Sequence, residues 1–110
     1  MTPTSPPTGH WLRIVAYGDF HDIPRCALFI DRDFVFWLLS CPFNATLDDY
    51  ASEYSLFRIG HDARIAGERL RSGWPEQETP QPDAIFPLSR IEFDETRRER
   101  VFLHRDPAYP

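Results

Sequence analysis

Residues 25–42, Arg-Cys-Ala-Leu-Phe-Ile-Asp-Arg-Asp-Phe-Val-Phe-Trp-Leu-Leu-Ser-Cys-Pro, constrain the fold more than any other part of the chain. They read as two β-strands, 26–30 and 34–40, around a polar turn at Asp31, Arg32 and Asp33. A hairpin with one wet face alternates apolar and polar residues. This one is apolar on both faces, so each face needs a cover. The protein's own core supplies one. The other falls to a further element of the fold, a partner chain or a ligand. A turn centred between Arg32 and Asp33 gives one face Cys26, Leu28, Ile30, Val35, Trp37 and Leu39. The opposite face then carries Ala27, Phe29, Phe34, Phe36 and Leu38.

The same register sets the expectation for the two cysteines. Cys26 faces Leu39, and Cys41 lies one step diagonal on the same face. Diagonal neighbours are about 7–8 Å apart, too far for a relaxed disulfide, so two free and mostly buried thiols are expected.

The remainder of the chain alternates strand and helix signals. Residues 10–17 are rich in β-formers, and 18–25 read as a polar connection punctuated by Gly18 and Pro24. In 46–54, Leu47, Tyr50, Ala51 and Tyr54 recur at helical spacing behind Thr46 as a cap, which predicts a short helix. Residues 55–59 read as a strand. A second helix is expected over 62–72, with Asp62 as N-cap and Gly73 past its end. The Pro-rich segment 74–86 reads as a surface loop, followed by strands 88–93 and 100–104.

The order β-β-β-α-β-α-β-β predicts an α+β fold. Its mostly antiparallel sheet would have five or six strands, with one or two short helices on one face. A small, partly open β-barrel is the alternative. The size of the chain, 110 residues, and its 42% hydrophobic content favour a single packed α+β domain over 10–106. Residues 1–9, rich in Pro and Thr, read as a flexible N-terminal tail.

Charge and composition narrow the function classes. A net charge of -5 argues against a general nucleic-acid binder. All 12 basic residues are Arg, a bias that genome composition explains better than anion recognition does, since they are spread along the chain among acids. No apolar run approaches the roughly 20 residues of a membrane-spanning helix, and the N-terminus lacks the pattern of a secretory signal. A cytoplasmic location without membrane partners is therefore expected.

No phosphate-cradling glycine loop, nucleophile elbow, zinc-helix motif or paired Cys-x-x-Cys is present, so no cofactor, metal or catalytic residue is assigned. Asp19, His21 and Asp22 cluster within one loop, but hydrogen bonds inside a solvated turn account for them. Arg90, Arg97, Arg98, Arg100 and Arg105 are interleaved with Glu92, Asp94, Glu95 and Glu99, which reads as an ion-paired hairpin.

Two functional expectations remain. The first is a non-enzymatic protein-interaction module, immunity-like or inhibitor-like. It would act through an apolar aromatic surface with an acidic rim, on a second copy of itself or on another protein. Its interface candidates are Phe34, Phe36, Trp37, Trp11 and Trp74. The second is a small-ligand binder or minor enzyme with a pocket near His21, Asp22, Cys41 and Tyr50.

Overall fold

The computed structural model describes residues 6–21 and 23–105. Six strands come first: β1 (Trp11–His21), β2 (Ile23–Ile30), β3 (Phe36–Ser40), β4 (Phe43–Asn44), β5 (Asp49–Tyr50) and β6 (Glu53–Gly60). Two helices follow, α1 (Ala63–Ser72) and α2 (Trp74–Glu78), and then β7 (Ala84–Pro87), β8 (Ile91–Phe93) and β9 (Arg100–Leu103). Seven strands form one antiparallel sheet in the order β7-β6-β3-β2-β1-β9-β8, while β4 and β5 pair separately. The fold is α+β, with more strands than the five or six expected.

The sheet curls into a half-barrel. Its inner face collects Leu12, Phe29, Trp37, Leu39, Leu56, Val101 and Leu103, with Ile91 and Phe93 of β8 packed against them. Tyr54 on β6 meets Phe93 on β8 at 6.3 Å between ring centroids, so strands far apart in the sheet touch across the interior. Helix α1 covers part of the outer face, packing on β1, β2, β3 and β6. Beneath it lie Leu28, Leu38 and Phe57, with Phe36, Leu70 and Trp74 at the margin. The doubly apolar hairpin is thus covered on both sides by the chain itself.

The hairpin register differs from the expectation by one residue. Cys26 pairs with Ser40, Leu28 with Leu38 and Phe29 with Trp37. The cause is a positive φ of 62° at Phe34. Phe34 N donates to Asp31 O at 3.1 Å and Asp31 N to Val35 O at 3.0 Å, so the loop is a turn plus one left-handed residue. That extra residue moves Val35, Trp37 and Leu39 to the face of Ala27 and Phe29, and it leaves Leu38 with Leu28. The faces proposed from the sequence were therefore mixed. Cys26 and Cys41 form no disulfide and sit on opposite sides of the sheet.

A left-handed conformation costs an ordinary L-residue about 1–2 kcal/mol, and glycine avoids most of that cost. Phe34 is 73% exposed, so it recovers little by burial. Phe34→Gly should therefore stabilise the protein by about 1 kcal/mol in urea unfolding. A loss of stability would show that the ring makes contacts that matter to the fold.

Other elements also depart from the sequence reading. Residues 46–54 form a turn, β5 and the start of β6 rather than a helix. Asp48 has a φ of 52°, which interrupts any helix there, and Leu47 is 72% exposed. The apolar spacing has another origin, because Tyr54 is buried as the first inward residue of β6. The connection expected over 18–25 is mostly strand, since β1 continues to His21 and β2 begins at Ile23. A bulge between Ile14 and Ala16 lets β1 change which residues face inward.

Helix α1 matches its sequence signals. Asp62 Oδ1 accepts from Arg64 N at 2.9 Å and Ile65 N at 3.2 Å, and Gly73 takes φ 69° at the C-cap. The Pro-rich segment is more ordered than a loop. Its first residues form α2, and Trp74 packs edge-on against Phe57 at 5.4 Å. Its end supplies β7, with Phe86 buried opposite Tyr54.

Candidate functional site

Of the pocket residues expected from the sequence, Cys41 and Tyr50 come together at one end of the half-barrel. Asp22 and the side chains of Asp19 and His21 lie outside the described residues. Cys41 follows β3, its backbone N donating to Arg25 O at 2.7 Å. Its thiol donates to Ala51 O at 3.1 Å, and Arg25 Nη1 approaches the sulfur at 3.8 Å. The Arg25 guanidinium lies over the Tyr50 ring, 4.2 Å from its centroid. The Tyr54 hydroxyl donates to Pro24 O in the same region.

The electrostatics of this cluster keep its acids neutral. Burial pushes the Cys41 thiol up, against the opposing pull of Arg25. Burial also raises the Tyr54 phenol, and the neighbouring Cys41 adds to the effect. A catalytic cysteine needs the reverse, a depressed pKa and an exposed sulfur. The arrangement suits a structural plug that ties β2, β3 and the chain at Ala51 together.

A pH dependence follows. Groups whose folded pKa lies above the unfolded value contribute stability that is complete below the unfolded value and is lost as pH rises. The ordinary values are 9.0 for Cys41 and 10.0 for Tyr54. Stability attributable to this pair should hold up to pH 9.0 and fall above it, as read from urea midpoints across the alkaline range. Tyr54→Phe should flatten the fall while lowering the plateau, because Pro24 O loses its donor. An unchanged alkaline slope in that variant would contradict the assignment.

The interface candidates divide into two groups. Trp37 is only 1% exposed and belongs to the inner core, which corrects its assignment to a surface. Phe36 packs at the edge of the cluster beneath α1. Trp74 is pinned between Phe57 and Arg69, whose guanidinium carbon lies 4.4 Å from its ring centroid. Trp11 and Phe34 remain open, at 43% and 73% exposure.

Trp11 belongs to a side-chain row that the sequence did not reveal. It pairs with Phe102 across β1 and β9, the rings meeting edge-on at 5.4 Å, and Phe102 in turn touches His104 at 4.5 Å. Val101 and Leu103 point inward, so Arg100, Phe102 and His104 point outward. By the same alternation Trp11, Arg13 and Glu92 share that outer face. Arg13 pairs directly with Arg100. Glu92 lies opposite Phe102, and its carboxylate comes within 3.6 Å of His104 Nε2. An open groove of about 400 Å³ runs between Trp11, Arg100 and the acidic corner of Glu92, Asp94 and Glu95.

Asp94 anchors that corner. Partial burial pushes its carboxyl up, but donation from Thr96 Oγ1 and from the backbones of Arg100, Glu99 and Thr96 overrides this, leaving it at about 2.

This chain matches no known family. No curated protein and no solved structure is significantly similar to it either. A second cleft, lined by Tyr17, Cys26, Ser40 and Arg71 beside the helices, measures about 270 Å³. Pockets for drug-sized ligands span about 300–1,000 Å³, so this cleft lies just below the usual range. Among the described residues, no group of three or more His, Cys, Asp or Glu is placed to hold a metal ion. Among the described residues, no helix is long and apolar enough to cross a membrane.

Proposed function

We propose that this protein is a non-enzymatic interaction module that docks another protein surface on the outer face of β1, β9 and β8. The observation that carries the reading is the Trp11–Phe102 pair. It is an aromatic contact outside both hydrophobic clusters, with Trp11 43% exposed. Aromatic and Arg side chains are enriched in the energetic centres of interfaces. Here both occur together, with Glu92, Asp94 and Glu95 forming an acidic rim on one side. Phe34 adds a second exposed aromatic. The register of β1 with β2 places its hairpin tip at the same end of the sheet as Trp11. The neutral, hydrogen-bonded thiol of Cys41 weighs against the competing reading of a small enzyme built around it.

The test uses Trp11→Ser and Phe102→Ser, each verified as folded by circular dichroism. The wild-type chain should bind a protein surface, its own or another's, in stoichiometric amount, and each variant should lose that binding. Binding that survives both substitutions would refute the assignment to this face.

A further inference from the structure

The face of the sheet under α1 carries a row of small residues next to a row of large ones. Leu28 and Leu38 pair across β2 and β3 beneath the helix. Two residues along each strand, Gly18 pairs with Cys26 and Cys26 with Ser40. A cleft of about 270 Å³ opens over this small row, walled by Leu70 and Arg71 at the end of α1 and by Pro75 and Glu76 of α2. Gly73, at φ 69°, makes the turn between the two helices that brings both walls to one mouth. Ser40 is 5% exposed, yet its hydroxyl makes no hydrogen bond among the described residues. Buried hydroxyls nearly always have a partner. Neither Arg71 nor Glu76 takes part, through its side chain, in an ion pair or hydrogen bond among the described residues. One cleft thus presents a cation, an anion and an unsatisfied hydroxyl.

We propose that this cleft binds a small zwitterion, a free α-amino acid with a short side chain. The ligand carboxylate takes the Arg71 guanidinium, whose paired donors match its two oxygens. The ligand ammonium donates to the Glu76 carboxylate, and Ser40 Oγ completes the polar contacts at the floor. The side chain lies against Leu70 and Pro75. A simple anion leaves Glu76 unpaired, and a simple cation leaves Arg71 unpaired, whereas a zwitterion answers both. The volume, just below the range of drug-sized ligands, suits an amino acid better than a nucleotide. A neighbouring cleft shares Ser40, Pro75 and Glu76 but not Arg71, so it lacks the cationic wall. The proposal stands apart from the interaction reading, because the cleft shares no lining residue with the groove beside Trp11.

The experiment is a calorimetric titration of the full chain with L-alanine, L-serine, L-valine and L-leucine in turn. At least one should bind. Its decarboxylated amine and its deaminated acid should each bind about tenfold more weakly or worse, the loss expected when a charged hydrogen bond is removed. The bound amino acid should slow alkylation of Cys26 by iodoacetamide, read by peptide mass spectrometry, which locates the ligand in this cleft. Arg71→Gln and Glu76→Gln should each lower the affinity about tenfold. Ser40→Ala should weaken binding while leaving the urea midpoint unchanged or higher, since an unbonded hydroxyl adds nothing to the stability of the free protein. Failure of all four amino acids to bind overturns the proposal. An amine or acid that binds as tightly as its parent also overturns it, and makes the site one for a simple cation or anion. So does binding that leaves Cys26 alkylation unchanged, or a Ser40→Ala variant that keeps full affinity.

Discussion

Trp37→Ala should cost about 4 kcal/mol, the range seen when a large buried aromatic is truncated without repacking. Trp37 is 1% exposed and lies on the inner face between Phe29 across β2 and Arg58 across β6. Small domains have about 5–15 kcal/mol in total, so this single change removes a large part of the margin. Trp37→Phe keeps most of the volume but loses the indole donor, and its expected cost is about 1.5 kcal/mol. Urea unfolding followed by far-ultraviolet circular dichroism separates the two. A Trp37→Ala variant within about 1 kcal/mol of wild type would place this side chain outside the core and undo the inner-face assignment.

How much of this was legible in the sequence depends on the range of the interaction that decides each element. Helix α1 was legible because its signals are local: an Asp cap, an apolar stripe and a C-terminal glycine within one short segment. The doubly apolar hairpin was legible as a pair of strands for the same reason, and its need for two covers was correct. Its register was not. Phe34 in a left-handed conformation has no sequence signature, since glycine or asparagine usually marks that position. One unrecognised residue inverted the face of every residue after the turn. The helix expected over 46–54 failed differently. Its spacing of Leu47, Tyr50, Ala51 and Tyr54 mimics a helix, but Tyr54 is set by the inner face of β6 and by Pro24 far away in the chain.

The candidate site was the least legible part. Trp11 could be singled out as an aromatic in a strand, but its partner Phe102 is set by the pairing of β1 with β9, which joins opposite ends of the chain. The Arg13–Arg100 juxtaposition arises from the same pairing. Within the sequence, Arg100 appears merely as one member of an alternating Arg/Glu hairpin. Arg25, which organises Cys41 and Tyr50, was missed because its contact with Tyr50 comes from the small β4–β5 excursion. A polar residue amid the apolar positions at the start of β2 was the only local hint.

The second large effect is expected at Asp31, whose carboxylate holds the hairpin loop in its register. Oδ1 accepts from Asp33 N at 2.8 Å and Val35 N at 3.0 Å, and Oδ2 accepts from Trp37 Nε1 at 2.8 Å. Hydrogen bonds to a charged group contribute about 1.5–3 kcal/mol, and a donor left unsatisfied in a buried setting costs about as much. Trp37 has such a donor. Asp31→Ala should therefore destabilise by about 3 kcal/mol, far beyond the ±0.5 kcal/mol of an ordinary surface change. Asp31→Asn keeps one carbonyl oxygen but turns an amide toward a donor, so it should fall between Ala and wild type. The register itself can be read separately. Loss of the carboxylate should speed amide exchange at Val35 more than at Leu39, deep in β3, because the bond to Val35 N is direct. If the Ala variant stays within about 0.5 kcal/mol of wild type, the left-handed Phe34 rather than the Asp31 carboxylate fixes which residues face the core.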